Sequence, residues 1–227
     1  MAAIIAVACD AEGRRQIVGL HIGPSEAETF WASFLKSLVK RGLKGVKLVV
    51  SDAHEGLKAA IARVLGATWQ RCRVHWMRNA LAHVGKAQQT VVAAALRQAF
   101  LQPDQGSARQ TWRHVADQLR QRWPKLGTLM DESEEDVLAY MAFPARHRTK
   151  LHSTNPLERL NKEVKRRADV VGIFPSEQSI LRLIGAVLLE AKDEWQLQHR
   201  YMGVEAMGEL LSPPPANETL QLTPKAA

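Results

Sequence analysis

The sequence predicts an α/β protein, a mixed sheet flanked by helices and interrupted by a helical insertion. Three observations predict it. Two β-rich runs over residues 3–8 and 14–21 flank a four-residue turn, and a β-branched and leucine run over 46–50 lies between two stretches of helical periodicity. From Met77 to about Met141 the apolar residues recur only at helical spacing.

The turn Asp10-Ala11-Glu12-Gly13 supplies the acidic and glycine residues that suit a hairpin, so its flanking runs pair antiparallel. Ser25 followed by Glu28 resembles a capping box. Phe30, Phe34, Leu35 and Leu38 carry a helix to about Arg41, where Gly42 ends it. Residues 46–50 read as a central strand that delivers Asp52 at its C-terminal end. A helix over 55–65 turns Leu57, Ile61, Val64 and Leu65 inward, and residues 68–74 form another short strand. Pro103 and Pro124 divide the insertion into helices over 86–101, 108–122 and 134–140. A second helical region starts near Pro156, restarts after Pro175-Ser176 and runs through Trp195. The expected organisation is a first core part over 1–76, an insertion over 77–145 and the rest of the core over 146–205. A flexible tail over 206–227 contains Pro213-Pro214-Pro215.

Composition narrows the function classes. A hydrophobic fraction of 46% suits a packed protein and argues against extended disorder. No apolar run reaches the span of a bilayer. The apolar opening has no basic segment before it and meets Asp10 and Glu12 at once, so it reads as a buried strand rather than a secretion signal. A soluble, cytoplasmic protein without a membrane partner is expected. Cys9 and Cys72 are the only cysteines, too few for a disulfide framework. The absence of GxGxxG and GxxxxGK[ST] loops excludes the usual phosphate-cradling nucleotide folds.

The net charge of +8 is compatible with a polyanionic partner, but its placement says more. Between Arg146 and Arg167 eight Lys or Arg stand against two acids, Glu158 and Glu163. Asp52, at a strand end, sits where open α/β sheets carry ligand sites, yet the same position suits a helix cap. Glu158 is equally two-sided. With Asn155 as N-cap and Pro156 at the first helical position, it is the acid of a capping box. On the same helix Leu157, Leu160 and Val164 form an apolar side, and Glu158, Asn161, Lys162 and Lys165 form a polar one. Converging carboxylates suit a divalent metal, and the cations beside Glu158 suit a phosphate backbone. Asp52 and Glu158 as ligands of Mg2+ or Mn2+ in phosphodiester transfer would satisfy both.

Cys72 and His75 form a Cys-x-x-His pair, better suited to orienting a site than to an independent zinc centre, because four ligands are not at hand. His54 adds a polar group beside Asp52. Trp69, Trp76, Trp112, Trp123 and Trp195 read as core or junction residues before base-stacking ones.

Three stretches carry a family resemblance: residues 48–60 (LVVSDAHEGLKAA), 69–79 (WQRCRVHWMRN) and 153–167 (STNPLERLNKEVKRR). Together they resemble the mutator-type transposases of bacterial insertion sequences, over most of the chain and in the same order. The resemblance implies an RNase H-like fold with a helical insertion, acting on double-stranded DNA at terminal inverted repeats through an Asp-Asp-Glu triad. The family's second Asp falls on Asp52, its Glu on Glu158, and its Cys-x-x-His pair on Cys72 and His75. Arg159, Asn161, Lys162, Lys165, Arg166 and Arg167 would lie along the DNA. The family's first catalytic Asp precedes the opening hairpin and has no counterpart here; Asp10 lies in the turn. A truncated or frameshifted transposase, or one whose start was assigned downstream of the true one, is therefore expected, inactive alone and associating with itself or a full-length transposase. Its complete Mg2+ or Mn2+ site would require the missing Asp. The alternatives are a non-catalytic DNA-binding or regulatory fragment and a cellular RNase H-like nuclease.

Overall fold

A computed structural model describes residues 2–23 and 28–211, and within them the chain is mixed α/β with helix predominating. Strands β1 (Ala2–Cys9) and β2 (Arg15–Gly23) form the expected antiparallel hairpin. Asp10 closes its turn, accepting the Arg14 N–H at 2.8 Å and the Gln16 amide at 3.1 Å. Gly13 is needed at φ 76°, where a Cβ would come within 2.1 Å of the Met202 carbonyl oxygen. Alternation along the hairpin buries both faces. Ile4, Ala6 and Val18 pack on α1 (Glu28–Lys40) and α2 (Glu55–Leu65). Ile5, Val7, Ile17 and Leu20 pack on α8 (Asn155–Val171) and α9 (Glu177–Leu197).

Strands β3 (Leu48–Ser51) and β4 (Thr68–Arg71) pair in parallel as a second, separate ladder. This corrects the expectation of one continuous mixed sheet. Among the described residues no backbone hydrogen bonds join the ladders, and shared side-chain packing against α1 and α2 holds them together. β3 is thus paired on one side only, and all four of its residues are half-buried, unlike a central strand. β4 stops at Arg71 rather than Val74. The Cys72 N–H completes the parallel pairing by donating to Ser51 O at 2.7 Å, and the Cys72 carbonyl then accepts from Trp76 N at 2.9 Å, opening a helix.

That helix, α3 (Arg73–Ala82), starts the helical region four residues earlier than the sequence pattern suggested. It leads through a short 3-10 turn, Lys86–Gln88, into α4 (Gln89–Phe100), α5 (Gln105–Arg120) and α6 (Pro124–Leu138). Trp76, Leu96, Trp112, Leu126, Met130 and Leu138 are fully enclosed in their common core. Pro124 stands at the break between α5 and α6, as expected, and is itself the first residue of α6, where its missing N–H costs nothing; α6 thus begins well before the expected helix over 134–140. The 3-10 segment Ala139–Ala142 and a helix not foreseen, α7 (Ala145–Leu151), lead back to α8. Trp69, Trp76 and Trp112 are buried, in agreement with a packing role. Trp195 is half-buried beneath the Arg15 guanidinium, 4.2 Å from its ring centroid.

Gln70 joins the two parts of the molecule. Its enclosed amide donates to Val137 O at 2.9 Å and Arg71 O at 2.7 Å, and its oxygen accepts the Tyr140 N–H at 2.7 Å. The start of the expected tail is helical, as α10 (Val204–Leu211), and the proline run lies outside the described residues. The proposed capping residue Ser25 also lies outside them.

Candidate metal and nucleic-acid site

Asp52 follows β3 and His54 caps α2, its Nδ1 accepting the Leu57 N–H at 3.2 Å. The cap role open to Asp52 therefore belongs to His54, which also meets Trp31 edge-on at 5.6 Å. This leaves the Asp52 carboxylate directed elsewhere. Its Oδ1 lies 2.5 Å from His75 Nδ1. The other ring nitrogen, Nε2, lies 3.6 Å from Glu158 Oε1. One imidazole thus stands between two carboxylates that are far apart in sequence, and each of the three side chains remains open to solvent.

The return of Glu158 to Asp52 is organised by Cys72. Fully buried at the N-terminus of α3, its Sγ accepts the Thr154 N–H at 3.4 Å and the Thr154 hydroxyl at 3.3 Å. His75 Nδ1 is 3.2 Å from the same sulfur. Arg73 N donates to His152 O at 2.8 Å, a second tie between the α3 start and the segment leading into α8. Thr154 is also a candidate donor, at 3.0 Å, to Glu158 Oε1. A capping box at Glu158 is not formed. Thr154 rather than Asn155 is the N-cap, no side chain caps the α8 N-terminus, and the Glu158 carboxylate faces Thr154 and His75. Thr154 received no role from the sequence, although it stands four residues before Glu158 in the Ser-Thr-Asn-Pro run.

Behind the site, Arg71 faces Asp136, Glu55 and Asp52; burial pushes its guanidinium pKa down, and these acids oppose that shift. Along α8 the six cationic and amide positions separate into two groups. Arg166 and Arg167 both bind Glu163, at 2.6 and 2.9 Å, and Arg167 also reaches Glu190 at 3.2 Å. The hydrogen bonds from Arg166 and Arg167 pull the Glu163 carboxyl down to about 2. Arg159, Asn161, Lys162 and Lys165 are exposed, and among the described residues Arg159, Lys162 and Lys165 have no acidic partner within ion-pair distance. Cys9 lies at the far end of β1, its thiol pushed up to about 11 by burial.

An acid after a β-strand, an acid on a late helix and a basic helical face suit a protein acting on a phosphate polymer. The family model of the Mutator-family transposases matches residues 1–198, and the chain belongs to that family. It is 44% identical over 205 residues to the transposase of insertion sequence IS1081 from Mycobacterium tuberculosis, covering 90% of this chain and 49% of that protein. Against the ISRM5 transposase of Rhizobium meliloti the identity is 40%, over 92% of this chain and 52% of the relative. Against the IS256 transposase in transposon Tn4001 of Staphylococcus aureus it is 39%, over 84% and 50%. The chain spans about half the length of these curated relatives.

Proposed function

We propose that this chain carries the catalytic region of an insertion-sequence transposase, performing metal-dependent DNA strand cleavage and transfer at terminal inverted repeats. The observation that carries the reading is the convergence of Asp52 and Glu158 on one ring, beside a helix that presents Arg159, Lys162 and Lys165. The hairpin, the parallel pair ending in Asp52 and the late Glu158 helix after a helical insertion support an RNase H-like assignment.

Asp52 and Glu158 stand on opposite edges of the His75 ring rather than in one ligand cluster, so each carboxylate singly fits a largely hydrated Mg2+ or Mn2+. Both are hard cations that take one or two carboxylates and complete their shell with water and substrate phosphate, and both carboxylates here have solvent access. When bound, such an ion supplies Lewis-acid activation of a water or 3′-hydroxyl and stabilises the leaving oxygen. Asp52 would hold it, and Glu158 would reach the same ion only once the His75 ring no longer stands between them. His75 would orient Asp52 through Nδ1, Thr154 would orient Glu158 through its hydroxyl, and the α8 cations would set the duplex backbone against the site. The family's triad has a third carboxylate. Among the described residues the ligand cluster at Asp52 adds Cys72 and His75 and takes in neither Glu158 nor a third carboxylate. That observation favours a second reading, a DNA-binding or regulatory fragment that associates with a complete transposase.

The discriminating experiment compares the chain alone with the chain extended by an upstream strand bearing an Asp, on terminal-repeat duplexes with Mn2+. Cleavage and joining by the extended protein, lost in Glu158→Gln with duplex binding retained, supports the catalytic reading. Salt-sensitive duplex binding without cleavage in either form supports the second. Cleavage indifferent to Glu158→Gln and Asp52→Asn overturns the site.

A further inference from the structure

We infer that Asp52, Cys72 and His75 form a binding site for a borderline divalent cation such as Zn2+, and that its occupancy excludes Mg2+ or Mn2+ from Asp52. The exclusion rests on the proposed role of Asp52 as a ligand for the hard cation; the Zn2+ site rests on the geometry of the three side chains alone. Asp52 Oδ1 and Cys72 Sγ lie 2.5 and 3.2 Å from His75 Nδ1. One donor atom from each residue falls within 4.8 Å of the other two.

The donor set decides the metal. A carboxylate alone suits Mg2+, but an imidazole nitrogen and a thiolate beside it suit Zn2+ or Co2+, which bind nitrogen and sulfur more strongly than Mg2+ does. Bonds of about 2.0–2.3 Å in a tetrahedral shell place ligand atoms roughly 3.3–3.8 Å apart. Reaching that shell requires the His75–Asp52 pair to open by about 1 Å. Asp52 is the exposed member, its side chain 58% accessible, so the movement falls on the side chain freest to make it and a solvent position remains for a fourth ligand.

The sulfur is already placed as a ligand would be. Thr154 directs its backbone N–H at Cys72 Sγ, and its hydroxyl lies 3.3 Å from the same sulfur. On binding, the Cys72 proton and any proton on His75 Nδ1 leave to solvent, and the cation takes their place. The geometry also links the site to the rest of the molecule. The Thr154 hydroxyl has one proton, so it donates either to the sulfur at 3.3 Å or to Glu158 Oε1 at 3.0 Å, and when Glu158 takes it the backbone N–H alone ties Thr154 to the sulfur.

The test titrates the purified chain with Co2+ and follows its absorption spectrum. One equivalent should give a thiolate-to-cobalt charge-transfer band, retained in Cys9→Ser and displaced by Zn2+. Asp52→Asn and His75→Gln should weaken binding beyond the roughly 10–100-fold expected for loss of an outer partner, which Thr154→Val should show. Cys72→Ser should abolish the band. If that variant does not fold, the other two ligand variants and the thiol-specific band decide. In a parallel arm, Mn2+ bound to the chain is followed by electron paramagnetic resonance, and Zn2+ should release it. Absence of the charge-transfer band, or a band unchanged in both Asp52→Asn and His75→Gln, overturns the site. A normal band with Mn2+ retained after Zn2+ loading overturns the exclusion alone. A normal band with no Mn2+ binding at all leaves the Zn2+ site standing and removes the hard-cation reading on which the exclusion rests.

Discussion

Cys72 Sγ and Thr154, 82 positions apart, are joined through both the backbone N–H and the hydroxyl of the threonine. The helical region from α3 to α7 therefore begins and ends at one point, and the start of α8 is held against the start of α3. Thr154→Val removes the hydroxyl donor but keeps the backbone one. A loss of about 1 kcal/mol is expected, read from the midpoint of urea unfolding. No change would mean that the hydroxyl donor carries no net stability.

Gln70 is the more costly position. Gln70→Leu keeps the volume but leaves the Val137 carbonyl and the Tyr140 N–H without their partner in an enclosed junction. Each such group costs about 1–3 kcal/mol, so a loss of at least about 2 kcal/mol is expected. By contrast, breaking the half-exposed Lys58–Asp136 pair at 2.6 Å should cost about 1 kcal/mol or less. Denaturant unfolding of Gln70→Leu and Lys58→Met checks the ranking, and equal losses would contradict it.

The two cation groups of α8 should separate in DNA binding. Neutralising Arg159, Lys162 and Lys165 is expected to lower the slope of log affinity against log salt by up to about 0.9 for each phosphate that no longer meets a cation. Neutralising Arg166 and Arg167 should change it less, because Glu163 and Glu190 already engage them. Fluorescence anisotropy on an unrelated duplex across a salt series measures both slopes. The reverse order would place the phosphates at the C-terminal half of α8.

His152 gives a pH signature. Burial lowers its pKa, the hydrogen bond to the Arg148 carbonyl opposes the shift, and nearby Arg73 adds to it. The unfolded chain therefore binds this proton more readily than the folded one. Its contribution is stable above the ordinary histidine pKa near 6.5, is lost as pH falls through that value, and levels off below the depressed folded value. His152→Gln should flatten the stability-versus-pH curve where pH falls below the ordinary histidine value of 6.5. An unchanged difference between the two proteins across that range would contradict the assignment.

Local chemistry made much of this legible in sequence. The Asp10–Gly13 turn sets its hairpin because its residues contact each other, and the α2 periodicity places Ile61 inward for the same reason. The three motifs over 48–60, 69–79 and 153–167 carry the family, and the match over residues 1–198 agrees with them. Competition between local signals was less legible. Residues 72–74 continue a β-like pattern, yet the chain turns helical there because Cys72 is held by Ser51 on one side and Thr154 on the other. Pro124 marks the break before α6 in the sequence, but that the helix starts at the proline itself rather than near Glu134 follows from the packing of Leu126 and Met130 in the common core.

By itself the sequence determined which residues bear charge, sulfur and imidazole, the sequence motifs in which they stand, and the family to which the chain belongs. The packed fold was needed to show that His54 rather than Asp52 caps α2, that Thr154 fastens to Cys72, and that Asp52 and Glu158 flank His75. Periodicity reports contacts within a few residues along the chain. Pairings across the insertion depend instead on the closing of a buried helical core, and on buried donors and acceptors finding partners once that core has closed.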